Sequence, residues 1–188
     1  MILAMALGAA TSTLRFTTFV LKLPVRPPVL VAKQAASVAY LTGNRLRLGV
    51  GVSPWPDDFQ IMDVPWERRG RRTDEAIDIV RGLTGGGYFE YHGEIFDVPS
   101  IKINPVPTQP IPILIGATVT QHCAGRGAWR RLDPRWRRSE ELDRMLDRLQ
   151  KIRAAEGKSD TPFEIHVASA EAYTVTGSSA SKTKASPM

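Results

Sequence analysis

LRFTTFVLKLPVRPPVLVAKQAASVAYLTGNRLRLGVGV, Leu14 to Val52, holds two stretches of strand-forming residues with one helical stretch between them. LRFTTFVL (14–21) is rich in β-branched and aromatic residues, as is RLRLGVGV (45–52) in Val and Leu, and both predict strands. Between them, Leu30, Gln34, Val38 and Leu41 recur at helical spacing. Pro27 and Pro28 suit the helix start, and Gly43-Asn44 suits its end. Two strands joined through a helix of this length imply parallel pairing, because a parallel neighbour is reached only by a crossover. The predicted class is therefore α/β.

The same alternation continues outward. Pro65 opens PWERRGRRTDEAIDIVRGL, whose Trp66, Thr73, Ile77, Val80 and Leu83 share one face, with GGG at 85–87 as its end. YFEYHGEIFDV (88–98) alternates around His92-Gly93 and predicts a hairpin standing outside the main repeat. PIPILIGA (110–117) is an apolar strand. Ser139 caps a helix with Glu140 and Glu141 in its first turn, and Leu142, Met145, Leu146, Leu149 and Ile152 make its stripe before Gly157 closes it. FEIHVA (163–168) is a further strand, and SSASKTKASPM (178–188) predicts a disordered tail after a domain spanning 1–177. Periodicity does not choose between a doubly wound sheet and a (β/α) barrel. LGVGVSPWPDDF has the first glycine pair of a dinucleotide fingerprint but not the third glycine.

At 188 residues the chain predicts one domain. Its net charge of +6 owes five units to HCAGRGAWRRLDPRWRR (122–138), where six arginines face one aspartate. The single cysteine, Cys123, forms no internal disulfide and lacks the spacing of a zinc site, so no metal is expected and the chain reads as cytoplasmic. MILAMALGAATS resembles the middle of a secretory signal, but no Lys or Arg precedes it; a buried helix that begins in mid-element is the expectation. No stretch reaches membrane-spanning length.

Three stretches carry a specific resemblance. LPVRPPVLVAKQAASVAYLTGNRLRLGVGVSPWPDDFQIMDVPWERRGRRTDEAIDIVRGL, then YHGEIFDV, then PIPILIGA, in that order, resemble the luciferase-like family of flavin- and deazaflavin-dependent oxidoreductases. The likeness runs from about Ala4 to Ala117 and resumes from Ser139 to Val175. It implies a (β/α) barrel with the cofactor across the carboxyl ends of the strands. On that plan LRFTTFVL is the third strand, RLRLGVGV the fourth, PIPILIGA the fifth and FEIHVA the seventh. The first two strands would precede Met1 and the eighth would follow the tail, so the resemblance implies an incomplete barrel of about strands 3 to 7, with a possible homo-oligomer covering its open edges.

The resemblance also implies a cofactor site. Thr17, Thr18 and Phe19 lie where the family carries a non-proline cis peptide behind the flavin ring, here near Thr18-Phe19; two threonines satisfied by local hydrogen bonds are the plainer alternative. Val52 and Ser53 match cofactor-contacting positions beside Gly49 and Gly51. Gly116, Ala117 and Thr118 match the phosphate-binding turn. Asp57 and Asp58, in the following loop, could meet substrate or ring, or be solvated carboxylates; His92 and His166 are weaker candidates. Pro54 stands where the sugar-phosphate dehydrogenase branch carries a proton-donating glutamate, which disfavours that activity. The expected cofactor is the deazaflavin coenzyme F-420, with FMN as the alternative, and the expected partner is a small organic substrate; no catalytic residue is assigned.

The arginine run departs from the family plan, which expects a helix and then a sixth strand reading about Gly-Asp-Gly-Trp-Ile; this segment offers neither. One permitted coding of Trp129 to Pro134, TGG CGA CGG CTG GAT CCC, read one base later, spells that motif. The run therefore reads as a frameshifted stretch beginning near Thr118 to Cys123 and restored near Arg138. A solvated basic loop is one alternative, and a nucleic-acid contact through Trp129 and Trp136 is another. Three functional readings follow: a luciferase-like oxidoreductase, an inactive fragment of one, or a basic nucleic-acid-binding protein.

Overall fold

The computed structural model describes residues 1–116, 127–131, 140–160 and 164–168. Ala117, Thr118, the Ser139 cap, the 178–188 tail and all of the arginine run outside 127–131 lie outside the described residues. The chain divides into two compact units, Met1–Ile113 and Leu114–Met188.

The first unit opens with α1 (Ile2–Ala10). The expected helix is present, but it is not buried: Ile2 and Leu3 are exposed, and Gly8 is its one buried residue. Contact is made there because a Cβ at Gly8 would stand 2.5 Å from the Thr42 methyl.

LRFTTFVL forms two short strands rather than one: β1 (Phe16–Thr17) and β2 (Leu21–Lys22), with a 3-10 turn at Leu23–Val25 after them. Next come α2 (Pro28–Leu41) and β3 (Leu46–Gly51), and both short strands pair with β3 in parallel. Thr17 faces Arg47 and Leu21 faces Val50, so four steps on one side match three on the other. The extra residue makes a bulge over Thr18–Val20, and the Phe19–Val20 peptide within it is cis. The resemblance had put that bond one residue earlier.

Pro28 occupies the first turn of α2, where its missing N–H costs nothing. The buried face of α2 differs from the expected one. Leu30 and Leu41 are exposed, while Val31, Ala32, Ala35, Ala36, Val38 and Ala39 are buried. The short alanine side chains are the ones that let α2 approach its neighbour closely. Leu46, Leu48 and Val50 of β3 are almost fully buried.

WPDDF is not a loop: α3 (Pro56–Ile61) begins at its proline, with Asp57 and Asp58 in the favourable first turn. The following helix, α4 (Arg69–Thr84), starts after Trp66, which packs edge-on to Phe59 at 5.0 Å. Thr73, Ile77, Val80 and Leu83 face inward as expected, and α4 packs on α2.

The hairpin of β4 (Phe89–His92) and β5 (Asp97–Ile101) is antiparallel, and its turn runs over Gly93–Phe96 rather than His92-Gly93. It is fastened to α4 by one buried carboxylate. Glu75 accepts the backbone N–H groups of Glu94, Ile95 and Phe96 at 3.0, 3.1 and 3.0 Å, and Arg71 Nε at 3.0 Å. Gly93 leaves the space this needs, since a Cβ there would lie 2.3 Å from Glu75 Oε2.

β6 (Ile113–Gly116), whose first residue closes the first unit, β7 (Gly127–Arg131) and β8 (Glu164–Ala168) pair in parallel in that order, with α5 (Glu140–Ala155) between the last two in sequence. Strand β7 corrects the reading of the arginine run as neither helix nor strand. GAWRR pairs through its backbone with both neighbours, and ladder hydrogen bonds depend little on which side chains the strand carries. All strand pairings described apart from the hairpin are parallel. The chain is α/β, built from strands linked by helical crossovers.

Candidate functional site

In the first unit the carboxyl ends of β1, β2 and β3 carry a compact polar cluster. β3 ends at Gly51, and the chain turns through Val52 and Ser53 into α3. Ser53 takes a left-handed backbone (φ 64°) and is only 8% exposed. That conformation is uncommon outside glycine, and here it accompanies a hydrogen bond between the Ser53 hydroxyl and Asp58. The backbone N–H of Trp55 donates to the same hydroxyl at 3.3 Å.

Asp58 is the centre of the cluster. Lys22, on β2, places its Nζ 2.7 Å from Asp58 Oδ1 and 2.6 Å from Oδ2. Hydrogen bonds from Lys22 and then from Ser53 hold the Asp58 carboxyl below its ordinary value, so it stays ionised at neutral pH. The Lys22 ammonium also lies 5.7 Å from the centre of the Trp55 ring, a loose cation–π contact. Both Lys22 and Trp55 retain substantial exposure, so a fixed cation and an aromatic surface face outward together.

The other expected residues fall around this centre. Thr18 donates from Oγ1 to the Gly49 carbonyl at 2.8 Å, which ties the bulge to β3. Thr17 is exposed, and Phe19 is half exposed beside the cis bond. Val52 is half-buried. Asp57 is exposed, so the structure brings its neighbour Asp58 into the cluster instead. Gly116 closes β6 in the second unit, and Ala117 lies outside the described residues. His92 is on the exposed hairpin, 2.5 Å from Asp97, away from these strand ends.

Lys22 and Trp55 were missed by the sequence reading. A usable signal existed for the first: Lys22 is the one charged residue in FVLKLPV, an otherwise apolar run entering a turn. Among the described residues no group of His, Cys, Asp and Glu is placed to hold a metal, and no helix is long and apolar enough to cross a membrane.

Comparison with known proteins adds independent findings. The profile of the luciferase-like monooxygenase family matches residues 1–183. Protein Rv0940c of Mycobacterium tuberculosis is 53% identical over 181 residues, covering 94% of this chain and 61% of that protein. The chain thus spans about three fifths of that relative. The 5,10-methylenetetrahydromethanopterin reductase of Archaeoglobus fulgidus is 36% identical over 90 residues, covering 48% of this chain and 26% of the reductase. An FMNH(2)-dependent dimethylsulfone monooxygenase of Pseudomonas putida is 33% identical over 108 residues, covering 55% and 29%.

Among solved structures, monooxygenase RslO1 of Streptomyces bottropensis superposes with a TM-score of 0.75 at 21% identity, covering 98% of this chain and 60% of that one. The coenzyme F420-dependent tetrahydromethanopterin reductase of Methanopyrus kandleri gives 0.73 at 16% identity, covering 87% and 52%. These likenesses establish the fold as part of a (β/α) barrel of this type.

Proposed function

The chain belongs to the luciferase-like monooxygenase family, and from that membership we propose that it works as an oxidoreductase on a small organic substrate, with the deazaflavin F-420 held at the carboxyl ends of β1, β2 and β3. The observation that carries this reading is the cluster of Lys22, Ser53 and Asp58, fixed at adjoining strand ends beside the exposed faces of Phe19 and Trp55. The donor set fits a flavin-type ring, which has apolar faces and a polar edge of carbonyl and N–H groups. When bound, that cofactor supplies hydride transfer, and the protein's part is to fix its reactive carbon and exclude competing reactions.

In this reading the bulge at Thr18–Val20 backs one face of the ring, with Thr17 and Phe19 on its rim. Gly49 and Gly51 present backbone without side chains, as Val52 and Ser53 line the ring's edge. Lys22, locked by Asp58, offers a charged donor to an electron-rich oxygen or nitrogen of the ligand. Asp57 is assigned to the mouth of the site. The phosphate role of Gly116 and Ala117 rests on the resemblance alone, Gly116 belonging to the second unit and Ala117 lying outside the described residues. FMN is the second reading, favoured by the 33% identity to an FMNH(2)-dependent enzyme.

Titration of the full chain with F-420 and with FMN, followed by quenching of cofactor fluorescence, tests both. Saturable quenching by F-420, with weaker or no quenching by FMN, is the expected outcome. Asp58→Ala should weaken that binding by about tenfold, since a charge-assisted bond that orients Lys22 is lost. Absence of quenching by either cofactor would remove the proposal.

A further inference from the structure

At the opposite end of the same strands lies a cavity of about 620 Å³, lined in part by Ser12, Thr13, Arg15, Arg45 and Arg47. Leu46, at the amino end of β3, is also in its wall. β3 runs from there to Gly51, so at 3.2–3.4 Å per residue this cavity is roughly 16 Å from the Ser53 turn. The volume falls within the range of small-molecule sites, about 300–1,000 Å³.

Its charge is one-sided. Three of the fourteen lining residues are arginines, and no aspartate or glutamate is among them. Arg45 is held in place by neutral oxygens: it donates to the carbonyls of Gly8 at 2.7 Å, Leu14 at 3.1 Å and Thr42 at 2.6 Å, and to the Thr11 hydroxyl at 3.1 Å. Those bonds fix the guanidinium without cancelling its charge. Arg15, exposed and just before β1, is among the lining residues, and Ser12 and Thr13 add hydroxyl donors. A concave wall with only positive charge raises the local concentration of anions, and planar guanidinium groups match phosphate oxygens in pairs.

We propose that this cavity, at the amino ends of β1 and β3, is a second ligand site that takes a small molecule bearing a phosphate group. It is independent of the cofactor reading, because no residue is shared with the Lys22–Ser53–Asp58 cluster. The probe is inorganic pyrophosphate, titrated calorimetrically into the full chain, with citrate as a polyanion lacking phosphate. Saturable pyrophosphate binding is expected, with citrate at least tenfold weaker. Arg15→Glu should weaken pyrophosphate binding at least tenfold, and Arg15→Lys by a few-fold, the charge being kept and the paired geometry lost. Lys22→Ala, at the far end of the strands, should leave it unchanged. Citrate binding equal to pyrophosphate, a Lys22→Ala loss matching that of Arg15→Glu, or no pyrophosphate binding at all would each overturn the site.

Discussion

Replacing Glu75 by alanine is expected to destabilise the chain by about 3–5 kcal/mol, the range for breaking a buried, fully bonded charge. The carboxylate is 1% exposed, and three hairpin N–H groups and Arg71 converge on it. Its removal strands those donors, leaving the hairpin joined to α4 by the packing of Phe89 on Gly82, the Arg72–Phe96 contact and exposed pairs such as Arg71 to Glu94 at 3.2 Å, which contribute little. Urea unfolding followed by circular dichroism measures the loss, and proteolysis between Glu94 and Phe96 should accelerate. An unchanged urea midpoint would mean that the hairpin is anchored by other means.

The same carboxylate sets a pH dependence. Burial raises its pKa, but the N–H groups of Phe96, Ile95 and Glu94 and the Arg71 guanidinium outweigh burial and hold it below the ordinary 4.5. Since the folded value lies below the unfolded one, this stabilisation is fully present above pH 4.5 and disappears as pH falls through the folded value. Glu75→Gln should therefore be weaker than the parent at pH 7, with the gap closing in more acidic buffer.

The second large effect is at Arg45, where truncation to alanine should destabilise the first unit by about 2 kcal/mol. One guanidinium satisfies the carbonyls of Gly8, Leu14 and Thr42, and so joins the end of α1, the loop before β1 and the end of α2. It also stacks 5.4 Å from the Phe16 ring. Arg45→Lys, which keeps the charge but not the fork of donors, should recover only a minor part of the stability. Hydrogen exchange would locate the damage: amides of α1 should lose protection before those of β3.

Much of the architecture was legible because periodicity reports which way a side chain faces. The α/β class, α2, α4 and the hairpin all follow from it, while the importance of the turn at Val52-Ser53 came from the family resemblance. What escaped depended on contacts between segments distant in sequence. The inward face of α2 is the one with small residues, since its neighbours come close, and hydrophobicity alone favours Leu30 and Leu41. Asp58 rather than Asp57 reaches Lys22, a choice set by the first turn of α3, where a proline invited a loop reading. Strand β7 was hidden because its side chains carry no strand pattern, while its backbone finds neighbours on both sides. The roles of Glu75 and Arg45 cannot be read from their own stretches, as every group they satisfy lies elsewhere.

The parallel pairing has a consequence for how the molecule assembles. Phe16 meets Leu46 and Leu21 meets Val50, so each of these sheet contacts encloses about thirty residues, whereas His92 meets Asp97 within the hairpin. Closing the longer loops is entropically costly and becomes favourable only once α2 has shortened the path. The hairpin and helices should thus be native in the folding transition state, and the Lys22–Ser53–Asp58 corner should still be open. Stopped-flow chevrons should show Val98→Ala slowing refolding, while Ser53→Ala acts on the unfolding limb alone. The chain completes its chemically interesting end last and opens it first.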